Sequence, residues 1–324
     1  MTSDPEVSVI VPVYNGAETL GACIESVRSQ SLANIEIFIV DNGSTDSSID
    51  VALGAARADD RILVLEESRP GVSAARNRGL RRARGRWVAF MDCDDSWPTP
   101  GVLETMRGVA DRERAEIVGL ADYTLRGASV TAPGEVVVVD GRTAAEEMLE
   151  LRRPTSVWAY LYSRAAIDGH RFDEGIHMFE DAVFNFEVLR SAASVAFYSG
   201  ALYRYTPGRH SANAQPFNPR WMSILHAGLR PIYTYGGDPS RASISFYSHC
   251  LRALLILMAQ APAVSTADLH VVAESSREAA RRGLRRGPGG DVALVQITSS
   301  RRALVAIVRI MRLSRRLSKA GKRS

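Results

Sequence analysis

The stretch Val7-Ser-Val-Ile-Val-Pro-Val-Tyr-Asn15 decides the fold of the amino-terminal part of the chain. The β-branched residues of its part 7–13 predict a parallel strand that is covered on both faces of a sheet. The pattern that follows predicts a helix at 17–30, a strand at 35–40, a helix ending at 58, a strand at 62–65, a helix at 72–84 and a strand at 87–91. This alternation predicts an α/β fold with a doubly wound parallel sheet and helices on both faces.

Polar residues follow three of the predicted strands at the point where each strand ends. They are Tyr14-Asn15, Asp41-Asn42 and the acidic run Asp92-Cys93-Asp94-Asp95. In open α/β sheets, ligands bind beyond the carboxyl ends of the strands. We therefore expect these residues to converge on one ligand site.

The later sequence is less regular and then changes character. Strands are predicted at 136–139, 158–162, 195–198 and 202–205, and helices at 143–151 and 182–189. From about residue 215 the pattern is helical with little strand signal. We predict one α/β domain over residues 1–214 and a mainly helical region over residues 215–324.

Composition excludes several classes of protein. The chain has 324 residues, of which 46% are hydrophobic and 23% charged, as in an ordinary globular protein. The cysteines are few and scattered (Cys23, Cys93 and Cys250), which favours neither a disulfide framework nor a cysteine zinc site. No signal peptide or membrane span is predicted, since the longest late apolar run, at 253–264, is too short. We expect a cytoplasmic protein.

The acidic run at 92–95 is the strongest local signal for chemistry. Closely spaced carboxylates repel one another unless a positive group joins them. Mg²⁺ and Mn²⁺ take oxygen ligands and typically share one or two carboxylates with substrate phosphates. The alternative is a solvated acidic turn that precedes a helix.

Three other segments have both a functional and a structural interpretation. The loop and helix 69–79 combine glycine with Arg76, as in phosphate recognition, or form an exposed arginine-rich helix. Asp41 could bind a base or a ribose hydroxyl, or begin an Asx turn. Glu180-Asp181 could include a general base, or simply cap a helix.

Taken together, these segments resemble the motifs of family-2 glycosyltransferases. The strand 7–15 is similar to the family's opening strand, and 37–48 to its second strand with an Asp-x-Gly-Ser-x-Asp loop. Gly71–Gly79 matches Gly-x-x-x-Ala-Arg-Asn-x-Gly, Asp92–Asp95 the metal-binding Asp-x-Asp-Asp, and Phe179–Asp181 the Glu-Asp catalytic motif. The resemblance implies a GT-A fold (a Rossmann-like, mostly parallel sheet with helices on both faces), here with a C-terminal helical extension. It also implies an inverting, metal-dependent transfer from a nucleotide sugar.

The resemblance also implies roles for individual residues. The catalytic residues would be Asp181, as base, and its neighbour Glu180. Mn²⁺ or Mg²⁺ would be bound by Asp94, by Asp92, and by His210, which lies near the family's late metal-binding histidine. The residues that would bind the nucleotide sugar are Pro12, Tyr14, Asn15, Glu18, Asp41, Arg76 and Asp92.

Two departures from the family pattern narrow the expected activity. Processive members carry Gln-x-x-Arg-Trp and membrane helices, whereas Gln215, Arg220 and Trp221 have a longer spacing. We therefore expect a non-processive enzyme, with UDP-sugar as the favoured donor and a glycan or lipid-linked acceptor. The Lys of the family's Trp-x-Lys-Leu-Tyr is replaced by Tyr160. The alternatives are a nucleotide- or carbohydrate-binding protein without turnover and a sugar nucleotidyltransferase, although the latter would need a Gly-rich loop after the first strand.

The last segment is basic. Residues 301–324 contain nine Arg or Lys and no Asp or Glu, and the basic residues of 301–319 fall mainly on one side of a helical wheel. This pattern predicts either peripheral contact with an anionic membrane, at its inner face, or a helix packed on the protein. Nucleic-acid binding is not predicted, because interleaved aromatic residues are missing. Anionic liposomes that bind the full chain no better than a chain ending at Ser300 would contradict membrane contact.

Overall fold

The computed structural model describes residues 4–121, 124–125, 134–200, 202–206, 218–234, 240–260 and 264–283, with 294, 298, 300, 303–308 and 311. The chain forms two compact units. The first comprises Met1–Met148, Arg152–Glu174 and Phe184–Gly208, and the second Leu149–Leu151, Gly175–Val183 and Arg209–Ser324. The domain boundary expected at 214/215, His210 and most of the basic segment 301–319 lie outside the described residues.

The strands and helices follow the alternating order that the sequence predicts. The strands are β1 (Val7–Val13), β2 (Ile35–Asp41), β3 (Ile62–Glu66), β4 (Trp87–Phe90), β5 (Ile117–Leu120), β6 (Thr124–Leu125), β7 (Val136–Val139), β8 (Tyr160–Ser163), β9 (Val195–Tyr198) and β10 (Arg204–Tyr205). The helices are α1 (Ala17–Arg28), α2 (Ser48–Ala58), α3 (Val72–Arg82), α4 (Val102–Glu113), α5 (Gly141–Leu149), α6 (Arg164–Ile167), α7 (Glu180–Ser191), α8 (Ile224–Thr234), α9 (Arg241–Gln260) and α10 (Thr266–Gly283).

An eight-stranded sheet forms the centre of the first unit. Its strand order is β3-β2-β1-β4-β8-β5-β9-β7. The first four strands in this order are parallel, whereas β8 runs antiparallel to both of its neighbours and β7 antiparallel to β9. Every residue of β1 and β2 is buried, as expected for parallel strands covered on both faces. The predicted α/β fold with a mostly parallel sheet is therefore confirmed, and the antiparallel strands β7 and β8 make the sheet mixed.

Helix α3 lies unusually close to β1. A Cβ atom added to Gly79 would lie 2.5 Å from Cγ2 of Ile10, so only glycine fits at this contact. Most of the small residues of this helix are buried, although the segment is rich in arginine. The close packing sets the height of α3 above the sheet and with it the position of Arg76.

Asp46 joins the beginnings of two helices. Its Oδ1 accepts the N–H of Ser48 at 3.0 Å, and its Oδ2 accepts the N–H of Ala17 at 3.1 Å. Free N–H groups at a helix start are stabilised by such carboxylate acceptors. Asp46 therefore ties the start of α1 to that of α2.

The second unit is helical where it is described. Its buried polar groups pair with one another: the Tyr247 hydroxyl lies 2.9 Å from Oγ of Ser275, and Thr298 Oγ1 donates to Oγ of Ser276 at 2.9 Å. Helix α9 is long and apolar enough to cross a membrane by length and composition, over Arg241–Ala259, but 72% of that window is buried within the structure. The helix begins at Arg241, well before the apolar run at 253–264. Serine and histidine in its first half interrupt the apolar pattern, so the sequence shows only its second half as apolar.

Candidate active site

The carboxyl ends of β2, β1 and β4 meet at one edge of the sheet. The register pairs Val13 with Asp41 and Ile10 with Phe90. The N–H of Met91 still bonds to the carbonyl of Ile10, at 3.1 Å, so the acidic run begins level with the end of β1. The expected convergence of these strand ends is present.

The end of β1 presents an aromatic ring and a fixed turn. Tyr14 is 61% exposed although its strand is buried, while Pro12 is buried and Glu18 is exposed in the first turn of α1. Asn15 has a φ of 51°, and its Oδ1 accepts the N–H of Thr45 at 2.8 Å. Within the described residues Asn15 joins two loops, and Tyr14 is the side chain here that offers a face to a ligand.

Asp41 combines a turn with an unused oxygen. Its Oδ2 accepts the N–H groups of Gly43 at 3.1 Å and Ser44 at 3.2 Å, which is the Asx turn that the sequence allowed. Its Oδ1 is buried and has no hydrogen-bond partner among the described residues. An unpaired buried acceptor is costly, so this oxygen is suited to a donor group from a ligand or a water molecule.

Arg76 is buried beside the acidic run. The side chain is 3% exposed, and its Nη2 donates to Oδ1 of Asp92 at 3.0 Å. The guanidinium also lies over the ring of Phe172, with Cζ 5.3 Å from the ring centroid. A buried arginine is retained where its charge is compensated and its direction matters. The alternative of an exposed arginine-rich surface is therefore wrong for Arg76.

Asp95 holds the acidic run in place. It is buried, and its two oxygens accept the hydroxyl of Tyr203 at 2.8 Å and the N–H of Thr206 at 2.7 Å. Trp158 stacks on Tyr203 with ring centroids 4.1 Å apart. Burial, more than the neighbouring carboxylates, raises the pKa of Asp95 to about 7. Since both oxygens are engaged, Asp95 anchors the run, and Asp92 and Asp94 remain as candidate ligands.

The cysteines near this edge are packed among the elements that carry the acidic run. A Cβ on Gly16 would lie 2.9 Å from Sγ of Cys93, so glycine is required where the acidic run meets α1. Burial raises the pKa of Cys93 to about 12 and also raises the pKa of Cys23. Mg²⁺ and Mn²⁺ take oxygen ligands, so the carboxylates of the acidic run are the candidate ligands.

The carboxylates fit a hard divalent cation. Asp92 is partly exposed and Asp94 is half-buried, and both lie at the carboxyl edge. Within the described ranges no three His, Cys, Asp or Glu side chains form a metal cluster. Two carboxylates suit Mg²⁺ or Mn²⁺, which complete their shells with water and substrate phosphate.

Glu180 and Asp181 form the first turn of α7 and belong to the second unit. Both are half-buried. The residue before them, Phe179, has a φ of 64°, which is an unfavourable left-handed conformation for an aromatic residue. Its ring contacts Phe246 and His249 edge-on, at centroid distances of 5.9 and 5.6 Å. Packing thus holds a strained turn directly before the candidate base, as is common at functional sites.

Two asparagines contribute to the site in ways that their sequence motifs did not reveal. Asn42 donates to the carbonyls of Glu67 and Arg69, at 2.9 and 2.7 Å, and accepts the N–H of Gly71 at 2.7 Å. It therefore fixes the loop that leads into α3. Asn77, beside Arg76, bonds to the backbone of Phe172.

Comparison with known proteins identifies the family. The model of glycosyl transferase family 2 matches residues 8–126. The uncharacterized glycosyltransferase EpsJ of Bacillus subtilis (strain 168) is 32% identical over 254 residues, which cover 76% of this chain and 70% of EpsJ. The putative glycosyltransferase EpsH of the same strain is 33% identical over 210 residues, 62% of this chain and 60% of EpsH.

Solved structures share the fold. Residues 1–349 of Staphylococcus aureus TarS, in a complex with UDP-GlcNAc, have a TM-score of 0.66 at 16% identity, covering 97% of this chain and 92% of that chain. The mannosyltransferase PcManGT of Pyrobaculum calidifontis, in a complex with GDP-Man and Mn²⁺, has a TM-score of 0.55 at 16% identity and covers 96% and 88%. The fold is the GT-A fold, and the chain belongs to glycosyl transferase family 2.

Proposed function

We propose that the protein is a non-processive, inverting glycosyltransferase that moves a sugar from a nucleoside diphosphate to a hydroxyl of a glycan or lipid-linked saccharide. The observation that carries this proposal is the ion pair between the buried Arg76 and the partly exposed Asp92, next to Asp94, at the carboxyl edge of three adjacent parallel strands. A fixed guanidinium beside carboxylates suits a diphosphate that binds together with a divalent cation.

The nucleoside end of the donor would bind at the ends of β1 and β2. The unused Oδ1 of Asp41 is suited to a base N–H or ribose O–H, and the exposed ring of Tyr14 to stacking against the base. UDP-sugar is the favoured donor, in keeping with the UDP-GlcNAc complex of TarS. The GDP-Man complex of PcManGT makes GDP-sugars the second choice.

Asp94 and Asp92 would hold Mg²⁺ or Mn²⁺, with His210 as a candidate third ligand. A Mn²⁺ complex is known for PcManGT, which has the same fold. When bound, the cation would neutralise the charge that develops on the departing diphosphate. Arg76 adds a fixed positive charge for the same diphosphate.

Asp181 would act as the general base. The bond between the anomeric carbon and the diphosphate oxygen breaks, and a bond from that carbon to the acceptor oxygen forms on the opposite face. The hydroxyl proton passes to the carboxylate of Asp181, and the nucleoside diphosphate leaves. Glu180, in the same helical turn, is the alternative base.

A protein that binds nucleotides without turnover remains the second candidate, because Asp41 and Arg76 suit binding alone. A donor screen separates the two. The protein is incubated with Mn²⁺ and UDP-, GDP- or dTDP-sugars, and release of nucleoside diphosphate is followed. We expect slow hydrolysis of one donor that is abolished by chelation. Metal-dependent nucleotide binding without release from any donor, even with candidate acceptors, would favour the binding protein.

A further inference from the structure

We propose that Asn77 is a positioning residue for the donor, which acts by holding Phe172 against the guanidinium of Arg76. The inference rests on the donor site proposed above. Asn77 is 3% exposed and follows Arg76 on α3. None of its described contacts is with Asp92, Asp94 or Asp95, so its influence on the donor passes through its neighbours.

The carboxamide of Asn77 forms hydrogen bonds to both the carbonyl oxygen and the N–H of one residue, Phe172. Its Nδ2 donates to the carbonyl oxygen of Phe172 at 2.9 Å, and its Oδ1 accepts the N–H of Phe172 at 2.9 Å. The Nδ2 group also donates to Oε1 of Glu174 at 3.1 Å. Because an amide offers a donor and an acceptor in one plane, this pairing fixes both the position and the direction of Phe172.

The ring of Phe172 contacts both the guanidinium of Arg76 and Phe90 of the sheet. Its ring stacks on Phe184 with centroids 4.0 Å apart and an interplanar angle of 4°, and it meets Phe90 edge-on at 5.4 Å. Phe90 ends β4, two residues before Asp92. The guanidinium of Arg76 lies over the same ring. The ring therefore relates Arg76 to the strand that carries Asp92.

The direction of Arg76 matters because a guanidinium binds phosphate through a planar fork. On one side Asp92 accepts from Nη2, and on the other the ring of Phe172 limits the plane of the group. If Phe172 shifts, the positive charge stays but the orientation of the fork does not. Loss of Asn77 should thus weaken the binding of a diphosphate.

Calorimetric titration of the full chain with UDP and with GDP, each with MnCl₂, tests this. We expect Asn77→Ala to weaken binding about tenfold, the loss of roughly one well-placed charged hydrogen bond. The matched control is Asn185→Ala, which removes another buried amide, bonded to Tyr162 and to the carbonyl of Thr155. Both variants should be less stable to heat, but Asn185→Ala should bind nucleotide within about twofold of the parent chain.

A double-variant cycle distinguishes positioning from general loosening. Arg76→Lys keeps the charge but loses the planar group that Phe172 orients. If Asn77 acts through Arg76, adding Asn77→Ala to Arg76→Lys should weaken binding by no more than about twofold further. Two full, additive losses would overturn the inference.

A second variant covers the case in which Asn77→Ala does not fold. Asn77→Asp keeps the size of the side chain and the oxygen that accepts the N–H of Phe172. It replaces the donor Nδ2 by a carboxylate oxygen, which is repelled by the carbonyl oxygen of Phe172 and by the carboxylate of Glu174. Its nucleotide affinity should fall, and adding Glu174→Gln should restore part of it. If the parent chain binds nucleotide and Asn77→Asp binds it with the same affinity, the inference about Asn77 is wrong while the proposed donor site stands. A parent chain that binds neither nucleotide overturns the donor site and the inference with it.

Discussion

Replacing Asp181 by asparagine is expected to lower kcat for sugar transfer roughly 10²–10⁴-fold, the usual contribution of a positioned general base. Asparagine has nearly the same shape but cannot accept the acceptor's proton. Donor binding should change little, because the proton moves only as the new bond forms. Initial rates at saturating donor and acceptor measure kcat, and calorimetry with UDP and MnCl₂ measures donor-side binding.

The setting of Asp181 supports this expectation. It lies in the first turn of α7, where unpaired N–H groups and the helix dipole favour a negative charge. The left-handed Phe179 just before it costs about 1–3 kcal/mol, which the packing of its ring against Phe246 and His249 offsets. Such a turn fixes the direction in which the first residues of the helix point.

Asp140→Asn is the matched control for Asp181. Asp140 also precedes a helix and accepts the N–H and hydroxyl of Thr143, at 2.9 and 2.7 Å. Asparagine caps a helix about as well as aspartate does, so this replacement should change stability little and leave kcat unchanged. Azide, which attacks without losing a proton, should relieve the defect of Asp181→Asn. A kcat within fivefold of the parent value would assign the base to another group, with Glu180 as the next candidate.

The sequence predicted the bounds of a strand correctly where the residues of that strand alone have a high preference for β structure. Val7–Val13, Val136–Val139 and Val195–Tyr198 have the predicted bounds because continuous runs of β-branched and aromatic residues favour strands locally. The antiparallel insertion of β8 was not predictable in this way, since strand direction depends on pairing with distant segments. Its predicted start at Trp158 is wrong, because Val157–Ala159 forms a 3-10 turn before the strand begins.

β5 was missed, and the reason is steric. Its sequence, Ile-Val-Gly-Leu, is short and contains a glycine, which weakens the strand signal. Gly119 is required there, because a Cβ would lie 2.7 Å from Cε1 of Phe197 on the neighbouring β9. The residue that makes the strand fit is thus the one that hides it in the sequence.

In the candidate site, too, the sequence predicted what depends on local pattern and did not predict the contacts between distant residues. That Asp41 and Asp92 lie at one edge followed from the order of the elements and the rule for parallel sheets. The partners that hold the site are far apart in the chain: Tyr203 is 108 residues from Asp95, and Phe172 is 95 residues from Asn77. No local pattern indicates such pairs, because their side chains meet only when the whole sheet is formed.

Replacing Asp94 by asparagine is expected to lower kcat/KM for transfer about 10³-fold, since a bound cation contributes several kcal/mol to stabilising the leaving group. Asp94 is chosen because it is the half-buried carboxylate of the run that the family motif assigns to the metal. Asp92 is shared with Arg76, and Asp95 is buried with both oxygens engaged, so a defect in either could arise from a moved loop.

Asp111→Asn provides the matched control for Asp94. Asp111 is a residue of α4. It pairs with Arg86, which directly precedes β4, at 3.8 Å, and with Arg107 at 2.8 Å. Its neutralisation changes the net charge equally but should leave kcat/KM within twofold. Nucleotide affinity measured with and without Mn²⁺ isolates the role of Asp94: in the parent chain the cation should strengthen binding at least tenfold, and in Asp94→Asn it should have little effect. An Asp94→Asn variant in which Mn²⁺ still strengthens nucleotide binding to the parental degree would contradict ligation by this carboxylate, because a lost ligand must weaken the coupling between cation and nucleotide.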